Sequence, residues 1–323
     1  MKYLSHQTPV EELQKFLSSL GWLQNEKILK TTIPGEGNMN VVLHVTTDKR
    51  SFILKQSRPY VNKYQQLAAP LERIETEYQF YAATNGTDLT DNMPEMIVYS
   101  KEHFLMMLSY VDEFEDMTRL YADRSVKVDE VASLAQILNE IHQAPVPGNY
   151  PENKELRQLN HQHIFVLPFE EENGFELDDI QPGLQALSGQ YKQDSTLKNK
   201  VDQLGDKYLS AGDTLLHGDY YPGSWMRARD QFYVIDTEFS FVGFREFDIG
   251  VMMAHLILIT SDKSITGNVL ENTKGSFDEA LVFQMAGVEI MRRLIGLAQL
   301  PLERTLEEKQ QLLQVGYQLI MSS

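Results

Sequence analysis

The sequence predicts an α+β chain in two lobes, the first built on an antiparallel sheet and the second mainly helical. Two patterns carry that prediction. Short runs rich in β-branched and aromatic residues crowd the first 110 positions around one internal helix. After "SYVDEFEDM" the apolar spacing switches to the period of helices. The composition supplies both lobes with a core, since 42% hydrophobic and 23% charged residues are ordinary proportions for a globular chain.

The elements follow in order. In "QTPVEELQKFLSSLGW", Thr8 opens a helix with Pro9 at its first position, Glu11 completes a capping box and Gly21 closes it. Strands are expected at about 27–33, over "NVVLHVTT" and over "SFILKQS", the last two joined by the turn "DKR". A helix over about 69–84 comes next, then strands in "EMIVYS" and "HFLMMLSYV". "VDEVASLAQILNEIHQA" sets Val131, Leu134, Ile137, Leu138 and Ile141 on one helical face. Residues 144–183, rich in Pro, Gly, Asn and His, read as irregular connection. Helix runs to about 210 and two short strands follow. Further helices are expected at 248–261, about 276–298 and 303–321. The division gives an N-lobe of 1–112 and a C-lobe of 113–323, and the cleft between them is the natural place for a small molecule.

Charge excludes two partner classes. With 29 basic against 46 acidic residues the net charge is −17, which repels nucleic-acid phosphates and anionic lipid. The chain has no cysteine, so it has neither a disulfide framework nor a thiolate metal site. The N-terminal stretch lacks the apolar core of a signal peptide, and "IGVMMAHLILI" is too short to span a bilayer. These features point to a reducing cytoplasm. A small-molecule substrate is the expected partner, with homodimerisation left open.

Chemistry concentrates in two stretches. "LLHGDYYPGSW" places Asp219 in a turn after an apolar strand, and "YVIDTEFSF" places Asp236 and Glu238 on one side of an extended segment. One carboxylate to take a proton and two to hold a cation is the set that phosphoryl transfer needs. His217 reads as a loop-holding residue and Asp248 as a helix N-cap that also bonds the loop. In the N-lobe, "IPGEGNMNVVLHV" offers a glycine turn suited to phosphate: Gly35 and Gly37 let the backbone approach, and Asn38 and Asn40 can donate hydrogen bonds. Lys55 lies in the strand that follows. Glu75 and Glu77 flank the buried face of the next helix, and helical geometry leaves open which of them pairs with Lys55.

"HGDYYPGS" followed by "VIDTEFSFVGFREFDIG" resembles the catalytic and metal motifs of the kinase-like small-molecule phosphotransferases. That group includes aminoglycoside phosphotransferases, choline kinases and methylthioribose kinases. The pattern D-x-E-F-x-F-x-G then F-D-x-G is similar to the methylthioribose kinase branch, and "GEGNMN", "ILKQSRPYV" and "LERIETE" extend the likeness over nearly the whole chain. The resemblance implies a protein-kinase-like fold and an ATP-dependent transfer, with Mg2+, to a hydroxyl of a sugar or thiosugar. It assigns the proton to Asp219, the metal to Asp236, Glu238 and Ser224, and the partner of Lys55 to Glu77. The run "LMMLSYV" falls at the hinge, where Leu108 and Tyr110 would meet adenine. "MRRLIGLAQ" is similar to a segment that faces substrate, which gives Arg292 and Arg293 that role. The chain departs from its relatives at Tyr220 and Tyr221 and at Ser224, where many of them carry Asn. It also lacks a tryptophan in "NKYQQLAAPL". An aminoglycoside- or choline-type kinase, or a non-catalytic nucleotide-binding module, is the alternative expectation.

Overall fold

The computed structural model describes residues 2–35 and 39–322. Its first lobe contains α1 (Val10–Ser19), β1 (Ile28–Thr32), β2 (Val41–Thr47), β3 (Ser51–Gln56), β4 (Tyr60–Val61), β5 (Tyr64–Ala68), α2 (Arg73–Thr84), β6 (Met96–Ser100) and β7 (Leu105–Ser109). Five of the strands form an antiparallel sheet in the order β1-β2-β3-β7-β6. Successive strand residues point to opposite faces. Leu43, Val45, Phe52, Leu54, Leu105 and Met107 therefore pack under α1 with Leu13 and Leu17. Met106 and Leu108 join Ile74 and Phe80 of α2 in the core that continues into the second lobe. Lys55 shares the face of Ile53, so the register carries it to the side where the lobes meet.

The start of α1 differs from expectation. Thr8 accepts a hydrogen bond from the Ser5 amide at 2.7 Å, and no side chain caps the helix that Pro9 precedes. Its end is as expected. Gly21 adopts φ +72°, and the Gly21 and Trp22 amides donate to the carbonyls of Ser18 and Leu17, the double bond that closes a helix in the left-handed conformation.

The second lobe comprises β8 (Phe114–Asp116), α3 (Leu120–Asp123), α4 (Val128–Gln143), α5 (Lys154–His161), α6 (Leu177–Ile180), α7 (Leu184–Lys192), α8 (Ser195–Leu209), β9 (Thr214–Leu216), β10 (Trp225–Ala228), β11 (Gln231–Val234), β12 (Phe241–Gly243), α9 (Arg245–Thr260), α10 (Ile265–Asn272), α11 (Glu279–Ile295) and α12 (Leu306–Met321). Strands β8, β10 and β11 form one small sheet, and β9 pairs with β12. Helix α11 packs between α9 and α12, and both α9 and α11 are buried along most of their length. Residues 144–183 are more ordered than their composition suggests. They hold α5, a π turn at Gln162–Val166 and α6, anchored by the buried Leu156, Ile164, Phe165 and Leu177. Helices this short depend on tertiary packing rather than propensity, which is why the composition hides them. Among the described residues, no helix is long and apolar enough to cross a membrane.

Candidate active site

The fully buried strand β9 runs into the buried His217 and Gly218 and the partly exposed Asp219. Their backbone is fixed from α9. Asp248, fully buried, accepts hydrogen bonds from the His217 amide at 2.7 Å and the Gly218 amide at 3.0 Å, and His142 Nε2 lies 3.2 Å from the same carboxylate. Asp248 sits inside the helix, whose first turn follows Phe244, so the N-cap expectation is corrected and the loop-binding one is observed. Gly218 has φ +83°, and a Cβ there would stand 2.2 Å from the Phe239 carbonyl oxygen, so only glycine fits. His217 Nε2–H donates to the Ile235 carbonyl at 3.0 Å while its Nδ1 accepts from the Asp219 amide at 3.3 Å. Burial lowers its pKa, which keeps the ring neutral in this holding role. Ser224 Oγ donates to the Asp219 carbonyl at 2.9 Å, and buried Tyr220 donates to the Leu134 carbonyl at 2.8 Å.

With its backbone so held, the Asp219 carboxylate faces two arginines of α11. Arg293 Nη2 is 3.2 Å and Arg292 Nη2 is 3.7 Å from Asp219 Oδ1. Burial raises the Asp219 pKa, against the pull of both guanidinium groups. Each arginine is less than 8% exposed, so neither is a solvated helix residue. The Arg293 guanidinium also stacks over the Tyr221 ring, 4.6 Å from its centre.

A second cluster forms around Lys55. Its Nζ lies 2.7 Å from Glu77 Oε2, 2.5 Å from Asp236 Oδ1 and 3.9 Å from Glu238 Oε1. The three carboxylates outweigh burial and hold the ammonium charged. Burial pushes the Glu77 pKa up to about 7 against the attraction of Lys55. Glu75 is paired at 2.7 Å with exposed Lys101 instead, so the structure settles what helical geometry left open. A cavity between the lobes opens beside this cluster. Val42, Ile53, Leu108, Met226 and Ile235 give it apolar walls, and Gly35, Lys55, Tyr110 and Asp236 also line it. The Tyr110 ring stacks on His44, with centroids 3.8 Å apart. Gly37 and Asn38 of the expected phosphate turn lie outside the described residues.

The residues expected to hold a cation divide. Glu238 is 2% exposed, accepts from Asn40 Nδ2 at 2.9 Å and lies 2.9 Å from Arg73 Nε. Asn40 is thereby turned inward, and Ser224 is committed to the loop carbonyl. A buried carboxylate needs a countercharge, and Arg73 supplies it. Asp236 alone of the three keeps its side chain nearly half exposed, at the cavity. Among the described residues no group of three or more His, Cys, Asp or Glu could hold a metal ion unaided. Magnesium characteristically takes one or two carboxylates with phosphate oxygens and water, so one carboxylate that is half exposed at the cavity, with Lys55 beside it, fits it when a nucleotide supplies the rest.

Sequence reasoning missed Arg73, whose guanidinium also donates to the carbonyls of Met39, Arg58 and Pro70. A helix-start arginine carries no outward sign of total burial. It also missed Tyr121, His255 and Glu289 behind the arginine pair. His255 is fully buried between Tyr121 and Glu289, and burial pushes its pKa down to about 4. Between pH 4 and 6.5 the unfolded chain binds this proton and the folded chain does not. Stability therefore rises with pH across that window, and the contribution, on the order of 3 kcal/mol, is complete above 6.5. His255→Gln is expected to flatten the dependence of unfolding free energy on pH between 4.5 and 6.5, measured by urea denaturation. Parallel curves for the two proteins would contradict the assignment.

Comparison with known proteins follows the same lines. The profile described as the phosphotransferase enzyme family matches residues 30–272. The methylthioribose kinase of Bacillus velezensis is 25% identical, with 92% of this chain and 88% of that protein aligned. Two solved structures share the fold at 14% identity and a TM-score of 0.53. They are the choline kinase LicA from Streptococcus pneumoniae, covering 96% of this chain and 98% of that one, and a spectinomycin phosphotransferase in complex with ADP and spectinomycin, covering 95% and 98%.

Proposed function

The chain belongs to the phosphotransferase enzyme family, and on that premise we propose that it transfers the terminal phosphoryl group of ATP to a hydroxyl of a sugar or thiosugar, as a methylthioribose-type kinase. In this reading residues 1–112 and 113–323 are the two lobes and the nucleotide lies between them. The apolar walls at Val42, Ile53 and Leu108 take the base, with Leu108 and Tyr110 at the hinge, and Lys55, held by Glu77, takes the phosphates. Asp236 holds magnesium, while Glu238 and Ser224 support the loops around it rather than ligate it directly. Magnesium, when bound, supplies charge neutralisation at the phosphates. Asp219 accepts the proton of the attacking hydroxyl, and Arg292 and Arg293 face the transferred group. Catalysis then rests on positioning and electrostatic stabilisation.

The observation that carries the acceptor class is the buried arginine pair beside Asp219. A cationic aminoglycoside or amino alcohol would meet two fixed positive charges there. The net charge of −17 favours such a cation only at long range, where salt screens it. A coupled ADP-release assay with ATP and magnesium over sugars, thiosugars, aminoglycosides and amino alcohols tests the choice. Turnover is expected with the neutral sugars and thiosugars, methylthioribose first among them. Faster turnover of choline or an aminoglycoside would overturn the acceptor class, and no turnover with any member would favour a binding module.

A further inference from the structure

Behind the arginine pair stands a chain of buried polar groups that the transfer itself does not touch. Glu289, on the same helix three and four residues earlier, is 1% exposed. Its Oε2 is 2.5 Å from Arg292 Nε and its Oε1 is 2.7 Å from Arg293 Nε. His255 Nε2 lies 2.9 Å from Glu289 Oε1, and His255 Nδ1 lies 2.6 Å from the Tyr121 hydroxyl. The direction of these bonds is determined. A carboxylate only accepts, so Nε2 carries the proton, Nδ1 is bare, and the Tyr121 hydroxyl must donate to it. We propose that Glu289 is a positioning residue for phosphoryl transfer: it grips both arginines by Nε and thereby aims their Nη2 groups at the Asp219 side of the site. The inference rests on the reading that Asp219 and the arginines serve the acceptor.

Three physical points support it. Guanidinium groups on adjacent helical residues repel one another, and a carboxylate shared between them offsets that repulsion. Binding through Nε holds each planar guanidinium in one orientation, with its Nη2 directed at Asp219. A buried ionic network of this kind is weak evidence for stability, because well-packed apolar residues of similar volume often serve as well, so its placement directly behind the arginine pair points to aim rather than to folding.

The test uses the full chain with ATP, magnesium and the panel acceptor turned over fastest, methylthioribose on the reading above. Glu289→Gln keeps the shape but presents an amide N–H2 where an arginine needs an acceptor. The expected result is a fall in kcat of about 10–100-fold, the usual share of a supporting residue, with the Kd for ATP within about twofold of wild type. A fall of the same size in ATP affinity would indicate general disruption and overturn the proposal. Arg292→Gln/Arg293→Gln supplies the decisive background. If Glu289 acts through the arginines, adding Glu289→Gln to that variant costs no further activity. A second loss of the full size would overturn it. Should Glu289→Gln not fold, the shorter Glu289→Asp is measured in its place: a loss confined to kcat supports the proposal, and unchanged kcat in a folded protein overturns it. Failure of the underlying reading looks different, because the double arginine variant would then itself turn over at the wild-type rate.

Discussion

Asp219→Asn is expected to yield a folded protein that binds ATP normally and transfers phosphoryl about 10²–10⁴-fold more slowly, the share of rate that a general base contributes. Folding should survive because the loop is held through its backbone. Asp248 takes the His217 and Gly218 amides, His217 Nδ1 takes the Asp219 amide, and Ser224 takes the Asp219 carbonyl. None of these bonds uses the carboxylate that the substitution changes. The asparagine keeps a carbonyl oxygen for Arg293 but has no site for the acceptor's proton. Its missing charge also leaves Arg292 and Arg293 with Glu289 as their only anionic partner at hydrogen-bonding range among the described residues. Affinity for anions should therefore hold or rise while turnover falls. Isothermal titration of ATP beside steady-state kinetics separates the two quantities. A kcat within tenfold of wild type would remove Asp219 from the chemistry.

How much of this was legible in the sequence depends on whether the signal was local. The five strands of the main sheet, α4, α9, α11 and α12 were visible because periodicity is a property of neighbouring residues, whereas the short β4, β5 and α10 were not. Asp219, Asp236 and Lys55 stood out because each ends or interrupts an apolar run, where a charge is unusual. The partners that give those residues their settings were not visible. Arg73 meets Glu238 across 165 positions, and Tyr121 meets His255 across 134. Nothing in the local pattern around Arg73 or Tyr121 distinguishes a fully buried polar group from an exposed one. Glu238 shows the cost of that blindness. Read alone, it is a second metal carboxylate two residues from Asp236; read with Arg73 and Asn40 against it, it is one side of a buried ion pair. Glu289 is the intermediate case, since its spacing of three and four residues from two arginines is a helical contact that could have been proposed from the sequence.

Lys55→Met is expected to lower stability by about 3–5 kcal/mol at pH 8, the loss usual when one partner of a buried charge pair is removed. Lys55 is 3% exposed and is the only cation paired with Glu77 within 4 Å among the described residues. Glu238 has Arg73 in reserve and Asp236 has solvent, so the burden falls on Glu77. Burial already pushes the Glu77 pKa up to about 7 with the lysine present, and removing the lysine raises it further. The sign of the pH dependence follows. With its folded pKa raised above that of the wild type, the variant's Glu77 is protonated first as pH falls, so the deficit of the variant is largest above its own folded pKa and shrinks as pH falls to about 7, below which Glu77 is protonated in both folded proteins. Glu77→Gln on top of Lys55→Met removes the stranded charge and should restore most of the stability at pH 8, as read by urea denaturation. Turnover should not return, because no ammonium then meets the phosphates. That pair of results separates what the lysine does for the fold from what it does for the nucleotide. A loss of stability that is independent of pH would dissolve the link to Glu77, and a double variant that regains turnover would take Lys55 out of the site.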